Sequence, residues 1–408
     1  MARVLSVWEL GSGLGHIDRM LSVGRALRER GHEPMFLLKD LSRAHIRLGA
    51  AGFWFSQSPL WLPKLNNAPA LRNYTVVLAA GGWLNPLGLA GLVQAWRGLF
   101  DALKPDALVC DHAPTAMLAA RGQGLPVLAV GNSFEMPPPG LNFPPMAYWD
   151  PAEHARCNGQ DELLLASANK ALGMLGEPPL ARLTELFDGV QRCMMSLPEF
   201  THYPGCAAAD LVGPAFVADV GVAHDWPASA SSAQSPRVFA YLDPSHAQFD
   251  RLMAALKALA WPTLVYAKGM SAEAAARLGS ASLHFETQPL RLDALLAEAR
   301  IAISHGSVGT VTAAALAGAT QLALPLQMEQ LMVSRRIEEA GVGLLIKPDD
   351  GTSDLAALLS RLAHEPGFAR AAQALAARHA GESPQRAADR VVDRIEAALA
   401  ARLLVAPP

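Results

Sequence analysis

Short apolar runs, each followed by a longer segment with apolar positions at helical spacing, recur along the chain. Such runs bounded by turn residues read as buried strands, and their alternation with helices reads as βαβ units on a parallel sheet. The pattern predicts a strand over 4–8, a glycine loop over 11–15, a helix over 17–30 ending at Gly31, and a strand over 35–38. It repeats as a strand over 107–110, a helix over 114–123 with Pro114 in its first turn, and a strand over 127–130. Helices over 161–172 and 180–187 then precede a strand over 193–197.

A second alternation predicts strands over 238–241, 263–266, 283–285, 301–304, 321–324 and 343–346, with helices over 247–259, 292–298, 308–317 and 330–340. Between the two lies a polar, small-residue stretch with Pro214, Asp225-Trp226-Pro227 and the run 228–235, which reads as a linker. An amphipathic helix over 387–404 closes the chain, with Arg390, Asp393, Arg394 and Glu396 as its polar stripe. The expected fold class is therefore α/β: two doubly wound domains facing across a cleft, with ligands outside the carboxyl ends of the strands. The expected boundaries are a first domain over 1–215, a linker over 216–236, a second domain over 237–385 and a C-terminal helix over 386–408.

Composition narrows the class. With 408 residues, 51% hydrophobic and 17% charged, the chain is long enough for two cores, and disorder is excluded as its main state. The 33 Gly and 30 Pro follow no three-residue period, which excludes collagen. A net charge of −3 without a basic run lacks the electrostatic footprint of a nucleic-acid binder. Cys110, Cys157, Cys193 and Cys206 form no C-x-x-C pair and read as free, mostly buried thiols of a reducing compartment. The apolar start stops at Glu9, too early for a signal peptide, so a cytoplasmic address is expected.

The stretch 73–96 carries no charge and is by count long enough to span a bilayer. Its Gly81-Gly82, Asn85-Pro86, Gly88, Gly91 and Gln94 favour a buried loop and helix, or an apolar pocket wall. The Pro- and aromatic-rich loop over 131–151 reads as a functional wall.

Four motifs carry candidate chemistry. Gly11-Ser12-Gly13-Leu14-Gly15-His16 departs from the dinucleotide fingerprint at its sixth position, and no acid follows at a convincing strand end, which disfavours NAD or FAD. His16 instead stands at a helix start on the ligand edge of the sheet, either as a neutral base or as an ordinary hydrogen-bonded residue. Asp111 ends an apolar strand and can fix that imidazole's tautomer, or can cap the helix opening at Pro114. Ser304-His305-Gly306-Ser307-Val308-Gly309-Thr310 follows a strand and opens a helix, so its backbone N–H groups suit a diphosphate, with a packing turn as the plain alternative. No P-loop sequence occurs. Glu329-Gln330 at a strand-to-helix junction suits vicinal hydroxyls or simply starts a helix.

Together these residues resemble a GT-B glycosyltransferase of the family that includes bacterial macrolide, plant flavonoid and animal glucuronosyl transferases. The marks are Gly13-Leu14-Gly15-His16, Arg30-Gly31-His32, Pro105-Asp106, Leu125-Pro126-Val127, His305-Gly306, Gly309-Thr310, Ala317-Gly318-Ala319, Glu329-Gln330 and Gly341-Val342-Gly343, covering essentially the whole chain. The resemblance implies an inverting, metal-independent hexosyltransferase that needs no cofactor and takes a nucleotide-diphosphate sugar, UDP or TDP, as co-substrate. It implies that the first domain binds the acceptor, that the second binds the donor, and that the last helix returns to the first domain. His16 would be the base and Asp111 its partner. Ser245, Gln288, His305, Gly306, Ser307, Gly309, Thr310, Glu329 and Gln330 would bind the donor. Aromatics of the variable segments, Trp61, Trp83, Phe134 and Phe143, would line a pocket for a hydrophobic small-molecule acceptor.

The chain also departs from the family. Ser307 stands for a second glycine, Glu329 for aspartate, Ala313 for a ribose-binding glutamate and Arg19 for proline. Asp243-Pro244-Ser245 replaces a Gly-Ser pair, and the base-stacking tryptophan before Gln288-Pro289 is missing. The diphosphate site is thus better kept than the nucleoside site. Three alternatives stay open: a GT-B nucleotide-sugar epimerase, a catalytically silent nucleotide-sugar-binding protein, and a lipid glycosyltransferase at a membrane surface.

Overall fold

The computed structural model describes residues 1–63, 70–157, 159–216, 221–228 and 235–405. Residues 217–220 and 229–234 of the expected linker, and 406–408 of the expected tail, lie outside the described residues. The chain divides into two compact units, one of residues 1–198, 203–215 and 383–408, the other of 199–202 and 216–382.

The first unit runs β1 Arg3–Trp8, α1 Leu14–Glu29, β2 Glu33–Leu38, β3 Phe55–Gln57, α2 Tyr74–Leu78, α3 Pro86–Leu103, β4 Ala107–Asp111, α4 Pro114–Ala120, β5 Val127–Gly131, α5 Pro151–Cys157, α6 Gln160–Met174 and β6 Gln191–Met194. All strand pairs are parallel, in the order β3-β2-β1-β4-β5-β6. The order reverses between β1 and β4, where Trp8 stands opposite Asp111. Ligands of open α/β sheets collect at that reversal, beyond the strand ends.

One face of this sheet packs under α3, α4 and α6, where the charge-free stretch supplies buried Tyr74, Leu78, Trp83, Leu89, Val93 and Trp96. That stretch is therefore core. Among the described residues no single helix is long and apolar enough to cross a membrane, and α2 with its following turn meets α3 at 81°. The cysteines are free, with Cys110, Cys157 and Cys193 buried.

The second unit runs β7 Val238–Leu242, α7 Phe249–Leu259, β8 Thr263–Ala267, α8 Ala272–Leu278, β9 Leu283–Glu286, α9 Leu292–Glu298, β10 Ile301–Ser304, α10 Val308–Leu316, β11 Thr320–Ala323, α11 Met328–Glu339, β12 Gly343–Leu345, α12 Leu355–His364 and α13 Pro366–Arg378. Its parallel sheet, β12-β11-β10-β7-β8-β9, has the same connectivity and reverses between β7 and β10. The final helix, α14 Pro384–Val405, belongs to the first unit and packs on α1 through Arg30–Asp393 at 2.5 Å and His32–Glu396 at 3.1 Å.

The sequence reading did not expect β3, α5, α8, α12 and α13, and two of the elements it did expect differ in kind or place. The helix expected over 180–187 is a single 3-10 turn, Leu183–Phe187, because Pro178-Pro179 and Gly189 leave room for little more. The strand expected over 193–197 sits earlier, and Pro198 opens a 3-10 turn after it.

Candidate active site

At the reversal of the first sheet, β1 ends at Trp8 and the chain turns through Gly11 to Gly13 into α1. His16 lies in the first turn of α1 and is 8% exposed. Its ring stacks on the Trp8 indole, with centroids 4.8 Å apart. Its Nδ1 lies 2.6 Å from Oδ1 of Asp111, the buried last residue of β4. A carboxylate only accepts, so Nδ1 carries the proton and Nε2 presents a lone pair. Nε2 has no hydrogen-bond partner among the described residues.

Gly11 keeps that nitrogen approachable. Its φ is +80°, and a Cβ there would meet His16 Nε2 at 2.5 Å. Lys39 Nζ donates to the Gly11 carbonyl at 2.7 Å and pins the loop.

Asp111 does not cap α4. That task falls to Glu9, whose carboxylate accepts the N–H groups of Thr115 at 2.9 Å and Ala116 at 2.8 Å. Burial pushes the Glu9 carboxyl up to about 7, although both N–H bonds oppose the rise. Asp111 is instead gripped by Arg19, which donates from Nε to Oδ2 at 2.7 Å and from Nη2 to Oδ1 at 2.6 Å. Arg19 Nη2 also reaches both oxygens of Glu135 at 3.1 Å. Burial alone would raise the Asp111 carboxyl, but Arg19 and then His16 pull it down to about 2. His16, Asp111 and Glu135 bring ligand atoms within 4.8 Å of one another, a spacing that suits a metal ion. The cation among them is the Arg19 guanidinium.

Sequence reading singled out His16 and Asp111, which meet. It missed Trp8, Glu9 and Glu135, and noted Arg19 only as a departure. The three-residue step from His16 to Arg19, which puts both on one helix face, was the available signal. His112 was also missed. It is buried at a left-handed φ of 45°, its ring 6.4 Å from that of His16 and 5.9 Å from that of Tyr74. Burial pulls its imidazole down to about 4, so it is neutral near pH 7.

The expected acceptor residues separate. Trp83 and Phe143 are core, a correction to the pocket reading: Trp83 donates to Thr115 Oγ1 at 3.2 Å, and Phe143 packs edge-on to Tyr74 at 5.2 Å. Large aromatics near a sheet gain most by full burial. Trp61 and Phe134 are half-buried, Trp61 against Gly82 and Gly88.

In the second unit the reversal joins Asp243, after β7, to His305, after β10. The Asp243 N–H donates to His305 Nε2 at 2.6 Å, and His305 Nδ1 donates to the Leu324 carbonyl at 2.7 Å. Both ring nitrogens are thus engaged, and burial lowers the imidazole, so His305 braces the loop as a neutral ring instead of offering a free donor. Gly306 takes φ +83°, and a Cβ there would strike Ser334 Oγ of α11 at 2.3 Å. Ser307 precedes α10, and its side chain caps no N–H; its hydroxyl donates to Thr310 Oγ1 at 3.2 Å. The first N–H groups of α10, including those of Gly309 and Thr310, therefore have no side-chain cap.

Ser245 is exposed and donates to Asp243 Oδ1 at 2.7 Å, closing a turn. Gln288 is exposed in the loop after β9. Glu329 Oε1 pairs with the buried His202 at 3.1 Å, and Gln330 Oε1 accepts the Leu326 N–H at 2.8 Å, so each is anchored within its own unit.

Residues 286–397 match the family described as erythromycin biosynthesis protein CIII-like, C-terminal domain. A protein of Methanosarcina acetivorans named as an uncharacterized glycosyltransferase is 29% identical over 134 residues, 31% of this chain and 31% of that protein. The match thus spans about a third of the curated relative's length. The calicheamicin glycosyltransferase CalG4 superposes with a TM-score of 0.70 at 19% identity, covering 100% of this chain and 99% of that one. The glycosyltransferase VinC, solved in complex with dTDP, superposes with a TM-score of 0.60 at 18% identity, covering 98% and 100%. By fold the chain is a GT-B protein, as are these solved glycosyltransferases, and its residues 286–397 are similar to the erythromycin CIII-like C-terminal domain.

Proposed function

We propose that this chain is an inverting glycosyltransferase that moves a hexose from a UDP- or TDP-sugar to a hydroxyl of a hydrophobic small molecule. The observation that carries the reading is the His16–Asp111 pair at 2.6 Å with Nε2 unpartnered over Gly11. Nε2 takes the acceptor hydroxyl proton as that oxygen bonds to the anomeric carbon. The bond from that carbon to the diphosphate oxygen breaks on the opposite face, inverting the configuration. The diphosphate leaves with the electron pair. Asp111 stabilises the imidazolium, and the N–H groups at the start of α10 stabilise the leaving charge.

The thymidine diphosphate held by VinC supports a TDP- or UDP-sugar donor. The half-buried Trp61 and Phe134 support an apolar acceptor. His16→Ala is expected to lower transfer by about 10²–10⁴-fold. A nucleotide-sugar panel should still raise its melting temperature, by mass action on the folded state. Unchanged turnover in His16→Ala defeats the proposal, and so does sugar epimerisation without any acceptor.

A further inference from the structure

Arg19 is nine-tenths buried, with its guanidinium between two carboxylates, Asp111, which ends β4, and Glu135, in the turn after β5. His16 Nδ1 and Arg19 Nη2 donate to the same Asp111 oxygen, each at 2.6 Å, and so stand 3.2 Å apart. Two N–H donors cannot bond to each other, so their approach is set by the shared acceptor. A fixed positive charge this close opposes protonation of the ring, whereas Asp111 and, farther out, Glu135 favour it. Glu135 is itself fixed: its Oε2 accepts the Asn132 N–H at 2.9 Å, folding the carboxylate back onto the turn after β5.

We propose that Arg19 and Glu135 are positioning residues of the His16 base. Arg19 locks Asp111 Oδ1 against Nδ1 and sets a fixed positive charge beside the ring, and Glu135 offsets that charge. The inference rests on the reading of His16 as the base.

The other charged or titratable groups around the ring are committed elsewhere. Glu9, from the end of β1, is turned onto the α4 N–H groups, and Asp18 of α1 pairs with Arg47 at 3.3 Å. Lys39, after β2, bonds the Gly11 carbonyl, and neighbouring Asp40 accepts the Ser42 N–H at 2.8 Å. His112 is neutral near pH 7. Arg19 and Glu135 remain as the opposed pair that bears on His16 through Asp111.

The experiment follows the His16 ring itself. Its 13Cε1–1H NMR signal, assigned by its loss in His16→Ala, is titrated in wild type, Arg19→Gln, Glu135→Gln and the double variant. The pH profile of kcat/KM is recorded beside it. Arg19→Gln is expected to move the titration midpoint and the acid limb up by about one pH unit, and Glu135→Gln to move both down by about one. The double variant should return to within about half a unit of wild type. If Arg19→Gln does not fold, Arg19→Lys replaces it: the charge is kept and the two-point grip lost, so kcat should fall while the midpoint stays. Midpoints that do not move, or that all move the same way, overturn the proposal. Opposed shifts in a wild type that transfers no sugar support this coupling and count instead against the glycosyltransferase reading.

Discussion

A methyl group at residue 11 would occupy the space beside His16 Nε2, where the proposed mechanism brings the acceptor hydroxyl, because the added carbon would stand 2.5 Å from that nitrogen. It would also place an L-residue at φ +80°, which costs roughly 1–2 kcal/mol. Gly13 separates the two effects. Its φ is +100°, yet nothing lies within 4 Å of its missing Cβ. Gly13→Ala is therefore expected to lose stability and keep most of its turnover per folded molecule. Gly11→Ala should lose a similar stability and at least about 10²-fold in kcat/KM, the share general-base catalysis supplies. Equal turnover in the two variants, measured against folded fraction, would contradict this account of Gly11. The same local crowding explains why sequence reading placed Trp83 and Phe143 in a pocket: an aromatic in an uncharged stretch looks alike whether its ring faces a ligand or Thr115 and Tyr74. Arg19 was hidden for a related reason, since its partners Asp111 and Glu135 come from positions far along the chain.

At the level of elements, the β1–α1 and β10–α10 junctions were legible because an apolar run, small residues and a helical stretch follow one another in sequence. The expected strand 301–304 and helix 292–298 coincide with β10 and α9. What joins β1 to α4 was not legible, because Glu9 caps a helix more than a hundred residues away. That cap carries a pH prediction. The Glu9 carboxyl rises from the ordinary value of 4.5 to about 7 in the fold, so folding favours its protonated form. Its contribution is fully present below about 4.5 and is lost as the pH rises through 7, a difference of order 3 kcal/mol. Asp111 has the opposite sign: held down at about 2, it contributes above the ordinary carboxylate range and loses that contribution only as the pH falls toward 2. The windows do not overlap. Denaturant midpoints of the wild type should therefore fall between pH 5 and pH 7.5, whereas Glu9→Gln, which keeps an acceptor for the α4 N–H groups, should stay flat. A wild-type midpoint that rises across that interval would reverse the sign assigned to Glu9.

On the scale of the whole molecule, the two ends of the chain build one unit. Ala387, Ala388, Val391, Val392 and Ile395 of α14 are fully buried with Val23, Ala26 and Leu27 of α1 and with Val4, Val109 and Cys193 of the first sheet. Arg394 extends this seam, donating to the backbone carbonyls of Ala209 at 2.6 Å and Arg192 at 2.5 Å. The sheet face that carries β1 and β4, and with them His16 and Asp111, is thus closed by α14. Ile395→Ala is expected to cost about 2–5 kcal/mol, as for other buried aliphatic truncations, with the loss confined to the first unit. Removing residues 383–408 takes away the whole seam and the Arg394 bonds together. Calorimetry of that truncated chain should lack the transition of the first unit, and His16 amides should lose their hydrogen-exchange protection. A truncated chain with unchanged protection around His16 would mean that α14 covers the first unit without completing its core.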